Sequence, residues 1–260
     1  MNSPRTFGAQ LREWRQRRHL SQLDLAAELQ ISTRHVSFVE TSRSQPSRAM
    51  VLRLAESLDV PLRERNSLLV AAGFAPMYAS RPLSDPSMSA ARQAVDLILN
   101  GHEPYPALLV DRHWTLVAAN RAAHGFFADI DRTLLAPPTN VLRVSLHPRG
   151  LAPRIVNLAQ WRTHVLARLA RDLELTADAT LAQLICELRG YPGGEEAEPG
   201  ADFGGVVVPL QIRTDAGVLS MFSTTTIFGT AVEVTLSELM LEAFYPADDF
   251  TGHAFRQLIR

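Results

Sequence analysis

The stretch SQLDLAAELQISTRHVSFVETSRSQPS, residues 21–47, decides how the first part of the chain folds. Ser21 is placed to cap a helix over Gln22 to Leu29, and Asp24 stands at the third helical position to complete a capping box. Ser32 caps a second helix of about two turns, Thr33 to Glu40. Only Gln30 and Ile31 lie between the two, so the helices must cross sharply. Leu25, Ala26 and Leu29 then face Val36 and Val39, and a small residue at Ala26 lets the helices approach closely. Thr33, Arg34, Ser37 and Phe38 are left on the outer side of the second helix. Short polar side chains at the start of an exposed helix suit contact with base edges in a major groove, so double-stranded DNA is the expected partner.

Working outward from this pair, residues 6–73 read as five short helices with no strand pattern. Phe7, Leu11 and Trp14 recur at helical spacing on a first helix that ends near His19. Pro46 and Ser47 start a fourth, with Val51, Leu54, Ala55 and Leu58 on one face. Pro61 opens a fifth that Gly73 closes. Residues 74–86, FAPMYASRPLSDP, hold three prolines and little periodicity and read as a linker.

Beyond it the period changes. Met88, Ala91, Val95, Ile98 and Leu99 mark an amphipathic helix ended by Gly101, and Ala107 to Val110 with Trp114 to Ala119 flank Asp111-Arg112-His113 as a β-hairpin. Asn120 caps a short helix to Phe127. Two longer helices run from Asn157, a second expected cap, to Asp172 and from Asp178 to Arg189. An acidic glycine-rich loop, Gly193 to Gly205, precedes three strand-like stretches: Val206 to Ile212, Val218 to Phe228, and Ser237 to Phe244. The whole reads as an antiparallel sheet with helices on one face. The expected domains are therefore 1–75 for DNA binding, 76–103 as linker and connecting helix, and 104–260 as an α+β body.

The composition, 46% hydrophobic and 20% charged over 260 residues, is that of a soluble globular chain and excludes disordered and fibrous classes. No apolar run approaches the roughly 20 residues of a membrane span. The first twenty residues carry five arginines and no apolar core, so no secretory signal is expected and a cytoplasmic location is. The single cysteine, Cys186, permits no internal disulfide and is expected as a buried, inert thiol. The net charge of −1 conceals an asymmetry: up to Ala75 eleven arginines face seven acidic residues (+4), and after it fifteen face twenty (−5). A basic head on an acidic body fits a polyanion partner for the head alone.

The quoted stretch, within residues 6–73, resembles the helix-turn-helix of the xenobiotic response element (XRE) and phage repressor family. That resemblance adds Ser32 to the DNA-facing set; Gln22, Arg43 and Arg48 stand where helix N-termini and cations meet phosphates. The sequence departs from the family at Gln30, where glycine is frequent, and a left-handed Gln there costs about 1 kcal/mol.

Downstream, PALLVDRHWTLVAANRAAHGFF, NVLRVSLHPRGLAPRIVNLAQWRTHVLARL and STTTIFGTAVEVTLSELMLEAFYPAD together resemble the ligand-binding domain of MmyB-like transcription regulators. This implies a PAS-like fold that senses a small molecule, with fatty acids or similar apolar molecules as the ligand class, in a regulator expected to be a homodimer. Alternation along Val218 to Phe228 sets Phe222, Thr224, Thr226 and Phe228 on one face and Met221, Ser223, Thr225 and Ile227 on the other, and the alternation leaves open which face is the pocket side; Phe222, Thr224 and Phe228 are the candidate pocket residues. Arg149 of the HPRG motif can pair with a carboxylate, and His147 and Trp161 complete the candidate ligand set.

No HExxH, GxSxG or phosphate-cradling glycine loop is present, so neither a catalytic residue, a metal nor an obligate cofactor is expected. Two other readings stay open: a body that only dimerises or binds a protein partner, and an enzyme carrying a DNA-binding head.

Overall fold

A computed structural model describes residues 6–193, 208–228 and 233–258. The chain forms two compact units, one of Met1–Pro82 with Thr230–Ser237, the other of Leu83–Gly229 with Glu238–Arg260.

The first unit is a helical bundle of α1 (Phe7–Arg17), α2 (Gln22–Glu28), α3 (Thr33–Glu40), α4 (Arg48–Ser57) and α5 (Leu62–Ala71). Caps set the helix starts. Asp24 N donates to Ser21 Oγ while Ser21 N donates back to the Asp24 carboxylate at 2.8 Å, and Ser32 and Ser47 each cap the helix that follows. Gln30 does adopt the left-handed conformation, at φ 56°. It is accepted because Leu25, Ala26, Val36 and Val39, all buried, fix the angle between α2 and α3. Phe7, Leu11, Trp14, Leu54, Leu58, Leu68 and Leu69 fill the rest of one contiguous core.

Residues 74–82 are more than a linker. Asn66 on α5 accepts from Met77 N and Tyr78 N at 2.9 and 3.0 Å and donates to Tyr78 O at 2.7 Å. Ala79 O accepts from Val234 N at 2.8 Å, and Arg81 N donates to the Glu233 carboxylate at 2.7 Å. The partner is α11 (Val234–Ser237), a stretch expected to start a strand at Ser237. Pairing with a residue 152 positions away in sequence leaves no local trace, so the proline-rich composition alone suggested a linker.

The second unit is built on a five-stranded antiparallel sheet in the order β2-β1-β5-β4-β3. The strands are β1 (Ala107–Val110), β2 (Leu116–Ala119), β3 (Leu210–Thr214), β4 (Gly217–Ile227) and β5 (Met240–Pro246). The acidic loop and the expected strand start at Val206 lie outside the described residues. One face of the sheet carries α8 (Val141–Leu146), α9 (Leu158–Thr176), α10 (Ala179–Arg189) and α12 (Asp249–Leu258), joined in a core with Val110, Trp161, Leu169, Leu188 and Ile212. The expectation of helices on one face needs one amendment. From α6 (Ser89–Gly101), Val95 and Ile98 meet Leu109 and Leu241 on the opposite face.

Two side-chain amides, Asn120 buried and Asn157 half-buried, position these parts. Asn120 caps α7 (Arg121–His124) by accepting from Ala123 N, and also accepts from Ala107 N and donates to Leu99 O and Tyr105 O. All four of its hydrogen-bonding positions are filled, which ties α6, β1 and α7 together. Asn157, expected as a cap for α9, makes no capping bond. Its amide instead donates to Pro209 O at 2.7 Å and accepts from Gln211 N at 3.1 Å, because the incoming β3 offers unpaired backbone there. Cys186 is exposed, correcting the expectation of burial, since α10 turns Leu184, Ile185 and Leu188 inward instead.

Gly8 supplies a test of the head's packing. A Cβ there would stand 2.4 Å from Glu40 O and 2.5 Å from Val39 O, so α1 reaches the end of α3 only without a side chain. Gly8→Ala is expected to destabilise the head by about 1–3 kcal/mol, read as a lower urea midpoint for the helical transition followed by circular dichroism.

Candidate nucleic-acid interface and ligand cavity

In the head, α3 presents its outer face through Arg34, exposed, and Thr33, Ser37 and Phe38, half-buried. The Arg34 guanidinium lies 5.0 Å from the Phe38 ring centre and that of Arg43 lies 6.0 Å from it. A cation held on an aromatic face keeps its planar donor edge free while losing less side-chain freedom on binding. The Ser32 hydroxyl accepts from His35 N at 3.1 Å and retains its own proton to donate. Arg43 and Arg48 are exposed. The structure thus brings Arg34, Phe38 and Arg43 together on one surface.

Gln22 has a further task. Its amide donates to Glu40 Oε2 at 2.8 Å, joining an ion pair in which Arg15 Nε and Nη2 meet the same carboxylate at 2.6 and 3.1 Å. Arg15 also donates to Leu20 O at 2.6 Å. Glu40 is the last residue of α3, so this buried cluster fixes α3 against α1 and α2. Sequence reading missed it, because partners 18 and 25 residues apart share no periodic pattern.

In the second unit a cavity of about 80 Å³ opens between the sheet and α8 and α9. Five aromatic rings border it: Trp114, Phe126, Phe127, Trp161 and Phe244. Four polar side chains also line it, Ser145, His164, Arg168 and Glu242. Glu242 is buried on β5; Arg168 Nη1 meets both of its oxygens at 3.0 Å and the Thr225 hydroxyl donates to it at 2.8 Å. The Trp161 indole donates to Ser145 Oγ at 2.9 Å, and His164 stacks on the Trp161 ring. Burial and the adjacent Arg168 guanidinium hold His164 below the ordinary histidine range, so its ring is neutral at pH 7.

Of the ligand residues expected from sequence, only Trp161 lines this cavity. Phe222, Thr224 and Phe228 belong to the other face of β4. The register pairs Thr225 with Glu242 and Ser223 with Phe244, which turns the odd-numbered positions toward the cavity. Phe222 stacks on Tyr245, and Phe228 lies against Val95 and Ile98 of α6. His147 and Arg149 are also elsewhere. Arg149 pairs with Asp131 at 2.6 Å and its backbone N–H donates to His147 Nδ1, so the motif pins a loop. The one legible sign of the cavity was Glu242 itself, a single charge inside the apolar run of β5.

The family model described as the MmyB-like transcription regulator ligand binding domain matches residues 91–258, and a helix-turn-helix domain model matches residues 6–68. A comparison with curated proteins finds no match. Among the described residues no helix is long and apolar enough to cross a membrane, and no group of three or more His, Cys, Asp or Glu side chains is placed to hold a metal ion.

The Glu40 cluster can be tested against a surface pair. Glu40→Gln leaves Arg15 buried without its counter-charge and is expected to cost about 3–5 kcal/mol. Arg149→Ala removes a pair whose arginine is 63% exposed and is expected to cost under ~1 kcal/mol. Urea denaturation of both variants measures the difference.

Proposed function

This chain belongs to the MmyB-like transcription regulators, and we propose that it is a homodimeric repressor whose DNA affinity is set by a small apolar molecule in the cavity of its PAS-like body. The observation that carries this reading is the pairing of an exposed, arginine-bearing α3 with an aromatic cavity inside the ligand-binding match. Fatty acids or similar apolar molecules are the ligand class, and the protein acts in the cytoplasm without enzymatic activity.

At the DNA, Arg34 reads a guanine edge and Phe38 meets a thymine methyl, while Thr33 and Ser37 bond bases or phosphate. Ser32, Gln22, Arg43 and Arg48 set the register on the backbone. In a dimer the two α3 helices must reach major grooves about 34 Å apart, so a small change in the arrangement of protomers alters affinity strongly. The mechanism is linkage: a ligand that favours one arrangement shifts the population toward it.

Chain connectivity supports such coupling. Residues Thr230–Ser237, which lie in sequence between β4 and β5, belong to the head's compact unit, and β5 carries the cavity's Glu242. A cavity of about 80 Å³ is smaller than the ~150 Å³ that admits benzene, so a ligand must push side chains aside. Phe126 borders both this cavity and a wider cleft beside α12, which makes its ring the partition to be displaced.

Two experiments test this function. Organic extraction of the purified protein, followed by mass spectrometry and by gel shifts on its own upstream DNA, is expected to release an apolar molecule and to change the shift. An empty protein with unchanged binding would instead favour a body that dimerises or holds a protein partner. In gel shifts, Arg34→Ala is expected to lose about 1–3 kcal/mol on operator DNA and relax sequence preference, whereas Arg43→Ala weakens operator and random DNA alike. Equal losses for Arg34→Ala on both DNAs would remove it from base reading.

A further inference from the structure

The cavity between the sheet and α8 and α9 holds one charge pair that closes on itself. Arg168 Nη1 meets both oxygens of Glu242 at 3.0 Å, so guanidinium and carboxylate cancel, and the Thr225 hydroxyl donates to the same carboxylate. A fatty acid is ionised well below neutral pH, as a Glu side chain is. Its head group therefore brings a negative charge for which this pair has no spare cation, and a buried charge without a counter-ion is strongly disfavoured. One further positive charge is needed.

Two lining groups keep unused hydrogen-bonding capacity, and both touch Trp161. Ser145 is buried on α8, and because its oxygen accepts the Trp161 indole N–H at 2.9 Å, its own proton remains to be donated. His164, half-buried on α9, stacks its ring on that of Trp161, with centres 5.5 Å apart and planes inclined by 26°. Among the described residues neither nitrogen of this ring has a hydrogen-bond partner, and neither is sealed from approach as the Trp114 nitrogen is. Of the described lining, His164 is the group whose ordinary titration lies nearest neutral pH. The charged groups that act on it are Arg168 and Arg171 of α9 and Glu242 of β5, while α8 lends only the uncharged Ser145 to this wall. Burial, followed by Arg168, opposes its protonation; Glu242 favours it and Arg171 opposes it. A carboxylate placed beside the ring reverses that balance.

Resting on the cavity as the ligand site, we propose that His164 anchors the head group of a fatty acid, binding the carboxylate as an imidazolium formed by taking one proton from solvent, with the Ser145 hydroxyl as a second donor. The occupied cavity then carries two cations and two anions, Arg168 with Glu242 and His164 with the ligand. Because the ring is neutral before binding and charged after it, each acid bound brings a proton, and affinity falls as pH rises between the two titrations. An alcohol of the same length needs no proton and shows no such slope.

Isothermal titration calorimetry of the full chain with sodium octanoate and with octanol, in two buffers of different ionisation enthalpy at pH 7.5, counts the protons. Wild type is expected to take up about one proton per octanoate and none with octanol, and its octanoate affinity to fall by about tenfold from about pH 6.5 to about pH 8. His164→Gln, which keeps an amide donor but cannot titrate, is expected to bind octanoate about tenfold more weakly, without proton uptake, and to keep its affinity for octanol. Binding of octanol but not octanoate, or octanoate binding to wild type without proton uptake, would overturn the assignment while leaving the cavity as a ligand site, and neither reading depends on how the variant folds. Undiminished uptake in His164→Gln would place the proton on the ligand itself and overturn it equally. Failure of both probes to bind wild type would overturn the cavity reading and this inference with it.

Discussion

A carboxylate removed from water must be surrounded by cations and donors, at a cost of several kcal/mol if it is not, and each unit of this protein is arranged around one such group. In the head it is Glu40, gripped by Arg15 and Gln22 at the end of α3. In the body it is Glu242, gripped by Arg168 and Thr225 on β5. Neither pair is a strong source of net stability, because desolvation offsets most of the attraction. What each supplies is position, since the charged partners can be satisfied in one geometry only.

That geometry has functional consequences in both places. With its end fixed by Glu40, α3 turns Val36 and Val39 inward and Arg34 and Phe38 outward, so the face offered to DNA is set before any contact is made. The Arg34 and Arg43 guanidinium groups on Phe38 extend the same ordering to the surface. In the body, Arg168 spans from Glu242 on the sheet to the Trp114 ring, and thereby braces the polar end of an otherwise aromatic cavity. Apolar walls with a few fixed polar groups are the usual composition of a small-molecule site.

The two sites also differ in how they hold their charge. The DNA face leaves its arginines exposed to water, ready to replace counterions along a phosphate backbone. The cavity's lining instead pairs its guanidinium and its carboxylate, Arg168 and Glu242, with each other.

Local chemistry made the head legible. Ser21, Ser32 and Ser47 act on residues three positions away, and the 3.6-residue period of Leu25, Leu29, Val36 and Val39 is written in neighbouring positions, so the sequence determined five helices, their caps and the outer face of α3. The antiparallel sheet and its hairpins were legible for the same reason. Which face of β4 meets the cavity was not, because a two-residue period is symmetric and only pairing with Glu242 and Phe244 chooses a side. Asn157 and the pairing of Ala79 and Arg81 with Val234 and Glu233 escaped likewise, their partners lying 52 or more residues away. The tertiary structure alone decided these matters, and with them Trp114 and Arg168, since a cavity is defined by side chains that converge from separate elements and have no neighbourhood in sequence.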